Sequence, residues 1–134
     1  MLSERPTKEE LEAFFSKDRF AVGAAGCTIV EGWRGHSIAE MPIREAHMNA
    51  HGNVMGGAIF TLADFALAIA SNTGCGPSVN VSTNIDYLSS SSGTKLIATA
   101  DCTKEGRRLS FYDVIITDDT EKLIARASVV CCNV

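Results

Sequence analysis

The chain has 134 residues, a formal net charge of −4 and 46% hydrophobic residues, so we expect one domain over residues 1–134 with a sizeable core. Lysine and arginine form no cluster larger than Arg107–Arg108, and no apolar run approaches the roughly 20 residues of a membrane span. Neither nucleic acid nor a membrane is therefore an expected partner. The N-terminus has neither the basic start nor the apolar stretch of a signal peptide, and we expect a cytoplasmic protein.

The first half of the chain predicts a short helix and a hairpin. Thr7, with Glu10 three residues later, has the form of a capping box and predicts a helix over residues 8–16. Strand-like residues at 27–30 and 37–41 flank a glycine-containing turn, which predicts a β-hairpin.

A long central helix follows. Residues 58–70 are apolar or small all the way round a helical wheel, except for Thr61 and Asp64, and this pattern predicts a helix that is buried on every side. Gly74 suits a left-handed residue after its C-terminus.

The second half predicts four strands, at residues 79–88, 95–104, 108–117 and 122–132. The turns at Glu105–Gly106 and Asp118–Asp119 are short, so we expect an antiparallel meander. One helix with such a sheet predicts an α+β fold in which the sheet wraps around the helix.

Cysteine and histidine do not form a metal or redox motif. No two cysteines have C-x-x-C spacing, and most are expected to be small core residues. The histidines His36, His47 and His51 lack a carboxylate or thiol at ligand spacing. We therefore expect neither a metal nor a cofactor.

Asp64 is the strongest candidate for a chemical role. A carboxylate in a buried helix is costly unless it is paired or hydrogen-bonded. Gly56–Gly57 begin this helix, where bare backbone N–H groups stabilise anions and oxyanions. Close packing of the helix on a strand would favour the same glycines without any chemistry, and both interpretations stay open.

The order of elements, with GGAIFTLADFALAIAS as the helix, resembles the hot-dog fold, and its motifs resemble those of PaaI-type acyl-CoA thioesterases. The resemblance begins near residue 20 and is densest at His47-Met48-Asn49, Gly52, Gly56-Gly57, Thr61-Leu62-Ala63-Asp64 and Asn84-Ile85-Asp86-Tyr87-Leu88. It implies hydrolysis of a thioester of coenzyme A or of an acyl carrier.

The resemblance also implies roles for single residues. Asp64 matches the family's general base or nucleophile, and Gly57 matches the glycine whose N–H stabilises the oxyanion. Asn49 matches a polar residue that positions water or the thioester, and Asn80 is a weaker candidate on the next strand. In this family the site lies at a subunit interface, with acid and oxyanion hole from different chains, so a homodimer or homotetramer is implied.

Some candidate residues also have simpler interpretations. Asn49 is also a common type of loop residue. Asn80 and Ser82 are also typical of the solvated face of a strand, which is the interpretation that we favour for Ser82. Arg108 could bind a coenzyme A phosphate, although such charges more often only decorate a hairpin turn.

Met55 departs from the family pattern, which has His before the two glycines. A thioether is a poor hydrogen-bonding group, so another residue must orient this loop, and His51 is the nearest candidate. We include Met55 and Gly56 with Asn80 and Arg108 in the expected substrate-binding set. The missing His favours, as an alternative, a non-catalytic acyl-CoA-binding module, and it disfavours a dehydratase, whose site pairs His with an acid.

Overall fold

The computed structural model describes residues 1–134 and contains one sheet and two α-helices. The elements are α1 Lys8–Phe15, β1 Thr28–Trp33, β2 His36–Pro42, α2 Gly56–Asn72, β3 Ser78–Tyr87, β4 Lys95–Glu105, β5 Leu109–Asp118 and β6 Leu123–Asn133. A π-helical turn at Arg19–Ala24 precedes β1, and a 3-10 turn at Glu45–His47 precedes α2.

The elements that depend on neighbouring residues form as the sequence predicts. The Thr7 hydroxyl accepts a hydrogen bond from the Glu10 N–H, and the Glu10 carboxylate accepts one from the Thr7 N–H, so the capping box is complete. The β1–β2 hairpin turns at Gly35 with φ +84°, and Gly74 follows α2 with φ +74°. Both glycines adopt the left-handed backbone conformation, which is unfavourable for residues with a Cβ atom.

The sheet order corrects the predicted meander. The strands lie in the order β1-β2-β4-β5-β6-β3, and all neighbours are antiparallel. Only β4, β5 and β6 form a meander. Because β2 and β5 occupy the two edges of β4, β3 instead pairs with β6 at the far edge of the sheet.

The core lies between α2 and the face of the sheet that packs against it. Leu62, Phe65 and Ile69 of the helix are at most 2% exposed. Burial of each such side chain stabilises the fold by about 1.5–3 kcal/mol, so these contacts fix the helix against the sheet. Of the five free cysteines, only Cys27 and Cys131 are fully buried, fewer than predicted.

The prediction that α2 is buried on every side is wrong for the single chain. Asp64 is exposed, and Gly57, Phe60, Thr61 and Ala68 along the same side of the helix are exposed or half-buried. The adjoining strand β3 is also open, and its outer edge pairs with no strand. The exposed helix side and β3 together form an open surface, which contains the candidate acid.

Neither α-helix is both long enough and apolar enough to span a membrane.

Candidate active site

Asp64 faces an open groove between α2 and β3. Its Oδ1 accepts a hydrogen bond from Asn80 Nδ2 at 3.2 Å, and its Oδ2 has no partner within the chain. The groove has a volume of about 610 Å³. Its other lining residues are Phe60, Leu67, Ala68, Asn72, Ser78, Val79, Val81, Ser82 and Thr83. The carboxylate is therefore held on one side and accessible on the other, next to an apolar wall.

Asp64 also borders a second cavity, of about 400 Å³, on the side of the N-terminal segment. Asp18, Phe20 and Phe65 line this cavity. Burial, and to a lesser degree the negative charge of Asp64, raise the pKa of the Asp18 carboxyl. Asp18 cannot be identified from the sequence, because nothing in the local sequence indicates that this segment packs beside the middle of α2.

The loop before α2 is organised by Asn49 and His47. Asn49 Oδ1 accepts hydrogen bonds from the backbone N–H groups of His51 and Asn53, at 2.9 and 3.1 Å. Buried His47 accepts a hydrogen bond from the Arg44 N–H at Nδ1 and donates one from Nε2 to the Ala25 carbonyl. These hydrogen bonds agree with the simpler interpretation of Asn49 as a loop residue. Its Oδ1 atom is occupied, and only its Nδ2 group is free to donate to a ligand.

His51 does not replace the absent family histidine. Its side chain is exposed and makes no hydrogen bond within the chain. The start of α2 is held instead by Tyr87, whose hydroxyl donates to the Gly56 carbonyl at 3.1 Å. Met55 lies just before the helix and is 56% exposed.

The two glycines at the start of α2 have different surroundings. A Cβ atom at Gly56 would lie 3.2 Å from Cζ of Tyr87, so this glycine permits close packing of the helix on β3. A Cβ atom at Gly57 would meet no atom within 4 Å. The Gly57 N–H has no acceptor within the chain and lies at the positive end of the helix dipole. Gly57 therefore presents a free donor to an open surface.

Asn49 and Gly56 line a third cavity, separate from the groove of Asp64. It has a volume of about 400 Å³, an apolar floor that includes Ile59 and Ile124, and a polar rim that includes Ser90. Ser89, Ser90 and Ser91, which lie in the loop between β3 and β4, form part of this rim.

The predicted site residues therefore divide into two groups within one chain. Asp64 and Asn80 are in direct contact, whereas Asn49 and Gly56 line a different cavity. Arg108 lines neither cavity, and lies in the β4–β5 turn, where its carbonyl accepts a hydrogen bond from the Asn133 N–H. Its position agrees with the simpler interpretation of a turn residue.

Comparisons with known proteins show which family the chain resembles. The family model described as "Thioesterase superfamily" matches residues 51–125, which include Gly57, Asp64 and Asn80. Human acyl-coenzyme A thioesterase 13 is 33% identical over 123 residues, which cover 89% of this chain and 88% of that protein. The acyl-coenzyme A thioesterase PaaI of Escherichia coli is 30% identical over 118 residues, which cover 87% of this chain and 84% of that protein.

Solved structures show the same fold. The structure of the E. coli PaaI protein superposes with a TM-score of 0.87, covering 95% of this chain and 93% of that chain at 24% identity. A Streptococcus mutans protein solved with bound acetyl-CoA superposes with a TM-score of 0.73 and is 27% identical, covering 78% of this chain and 85% of that chain.

Proposed function

Because this chain belongs to the thioesterase superfamily and is a PaaI-like hot-dog thioester hydrolase, we propose that it hydrolyses acyl-CoA thioesters with Asp64 as the catalytic carboxylate. The names of the human and E. coli relatives support this substrate class. The observation that carries the role of Asp64 is its geometry, with Oδ1 bound to Asn80 and Oδ2 free at an open groove.

Thioester hydrolysis requires an activated nucleophile and a donor for the developing oxyanion. Asp64 Oδ2 accepts a proton from water as the water oxygen attacks the thioester carbonyl. The Gly57 N–H donates to the carbonyl oxygen, which becomes negatively charged in the tetrahedral intermediate. Collapse of this intermediate breaks the carbon–sulfur bond, and the thiolate leaves and takes up a proton. The products are the acid and free coenzyme A.

We further propose that each complete site is formed by two copies of the chain, in a homodimer or a higher homo-oligomer. Asp64 with Asn80, and Asn49 with Gly56, line different cavities of one chain. The free edge of β3 and the exposed side of α2 adjoin the groove of Asp64, and Val79 and Val81 of β3 are 45% and 55% exposed. An antiparallel β3–β3 contact about a two-fold axis covers this surface and buries an otherwise unprotected edge strand. The same axis supplies the Asn49–Gly57 segment of one copy to Asp64 of the other.

Release of free thiol from a panel of short-chain, long-chain and phenylacyl-CoA substrates tests the proposed reaction. The wild-type protein is expected to release thiol from at least one of them, and Asp64→Asn to lose about 10²- to 10⁴-fold in kcat with the fold retained. Asp113→Asn is the matched control, because Asp113 is an exposed carboxylate of β5, outside the groove and separated from the edge strand β3 by β6.

Two outcomes would contradict this proposal. An Asp64→Asn variant with wild-type turnover would remove the carboxylate from the mechanism. Acyl-CoA binding without any thiol release would identify a non-catalytic binding module. This alternative is favoured by Met55, an exposed residue that stands where the family has a hydrogen-bonding histidine.

A further inference from the structure

A β-bulge in β3 brings a second polar residue to the side of the sheet that faces Asp64. Asn80 pairs with Cys131 of β6, and Ser82 pairs with Val130, so Val81 is an extra residue in β3. In a regular strand, residues 80 and 83 would point to opposite faces, because side chains alternate. The inserted residue reverses this alternation, and Thr83 lies on the same face as Asn80.

The pairing across β6 and the hydrogen bonds agree on this orientation. Thr83 pairs with Val129, and both Val129 and Cys131 are buried on the side of the sheet that packs against α2. Thr83 Oγ1 lies 2.7 Å from Asn80 Nδ2 and 2.9 Å from Asn80 Oδ1. The Thr83 hydroxyl bonds to no other residue, so its contacts are made with the amide that binds Asp64.

An asparagine amide has two orientations that differ by a half-turn. With Nδ2 towards Asp64, the amide donates to the carboxylate; with Oδ1 in that place, two acceptor oxygens face each other. The repulsion between facing acceptor oxygens therefore disfavours the second orientation. The Thr83 hydroxyl is within hydrogen-bond distance of both amide atoms, so it holds the amide group in place beside Asp64 without itself selecting the orientation. One carboxylate oxygen is then occupied, and the other is left to accept a proton.

We propose that Thr83 is a positioning residue of the hydrolase, which holds the Asn80 amide against Asp64 Oδ1 so that Oδ2 is the atom that takes the proton from water. This inference rests on the proposed function of Asp64 as a catalytic base. Thr83 acts through Asn80 and does not itself touch the reacting atoms. The bulge at Val81 is the backbone feature that makes this contact possible.

Thr83→Val keeps the shape of the side chain and removes the hydroxyl, and Thr83→Ser keeps the hydroxyl. We expect Thr83→Val to lower kcat about three- to tenfold, as for the loss of one hydrogen bond, with KM changed less than twofold. Thr83→Ser is expected to restore both values to near those of the wild type.

A double-mutant cycle separates this role from a purely structural one. Because Thr83 acts through Asn80, Thr83→Val is expected to have no further effect on kcat in an Asn80→Ala background. An equal loss in both backgrounds would overturn the inference, and so would a Thr83→Ser variant as impaired as Thr83→Val.

Failure of the inference is distinguishable from failure of the proposed function. A wild-type protein without thiol release contradicts the function, whereas an active wild type with a fully active Thr83→Val variant contradicts only the inference. The NMR signals of the Asn80 side-chain amide report the contact without catalysis. These signals are expected to change in Asp64→Asn and in Thr83→Val, because each substitution removes a hydrogen-bond partner of the amide. Unchanged signals in Thr83→Val would overturn the inference even in an inactive protein.

Discussion

Replacement of Gly57 by alanine separates a catalytic role of the helix start from a packing role. The added Cβ would meet no atom within 4 Å, so the fold has room for it. Because glycine inside a helix is less stable than alanine by roughly 0.5–1 kcal/mol, we expect stability to stay the same or rise by up to this amount. For a chain of this size such a gain corresponds to a Tm increase of about 2–6 °C.

Activity is expected to change in the opposite direction. An oxyanion must come within about 2.7–3.1 Å of the Gly57 nitrogen, and a methyl group on the adjacent Cα crowds that approach. We expect kcat/KM for acyl-CoA hydrolysis to fall at least about tenfold, which corresponds to about 1.4 kcal/mol of transition-state stabilisation.

Gly56→Ala is the matched comparison. Its Cβ would lie 3.2 Å from the Tyr87 ring, which must shift by a few tenths of an ångström, so any gain in helix propensity is offset. Thermal melts, gel filtration and thiol release are measured for both variants. A Gly57→Ala protein that is assembled, stable and as active as the wild type would refute the assignment of the Gly57 N–H as oxyanion donor.

Two further predictions concern the fold and the helix start. The Thr120 hydroxyl and the backbone N–H groups of Ser92 and Lys122 hold the pKa of buried Asp118 well below its usual range. This stabilisation is fully present above the unfolded-state pKa of about 4 and is lost as the pH falls towards the folded-state pKa. Asp118→Asn is therefore expected to be less stable than the wild type at pH 7. Its free energy of unfolding, measured at decreasing pH, should decline less steeply than that of the wild type. Tyr87→Phe removes the donor to the Gly56 carbonyl and should cost about 1 kcal/mol of stability and several-fold in kcat/KM; unchanged kinetics would mean that other contacts suffice to orient the helix start.

Features encoded by neighbouring residues could be predicted from the sequence. The capping box at Thr7 and the left-handed glycine after α2 depend on residues within a few positions of each other. The partner of β3 could not be predicted in this way, because alternation identifies a strand but says nothing about its neighbours. The meander was inferred from short turns, and the seven-residue connection at 88–94 is long enough for a different topology.

The burial of α2 could not be predicted from its helical wheel either, because the wheel does not show what packs against each side of the helix. It correctly identified a helix with little polar surface, but an apolar or small side chain does not specify whether the same chain covers it. The side that includes Phe60 and Asp64 remains open in the single chain. Burial within a single chain therefore does not identify Asp64 as catalytic; the open groove and the hydrogen bond from Asn80 support that role.

The surroundings of Asp64 depend on contacts between distant segments. Asn80 lies 16 positions from Asp64, and Asp18 lies 46 positions before it. In a regular strand, Thr83 would lie on the opposite face of β3 from Asn80. Only the register of β3 with β6 reveals the extra residue at Val81 that brings the two together.

Subunit complementation tests most directly whether Asp64 of one copy works with the helix-start segment of another. Asp64→Asn and Asn49→Ala chains with different tags are co-expressed, and the mixed dimer is purified by both tags in turn. One of its two sites then combines an intact Asp64 with an intact Asn49, and the other carries both substitutions. If each site is shared between copies, the mixed dimer should recover about half of the wild-type thiol release per dimer, far above either parent. A mixed dimer no more active than the mean of its two parents would contradict a shared site.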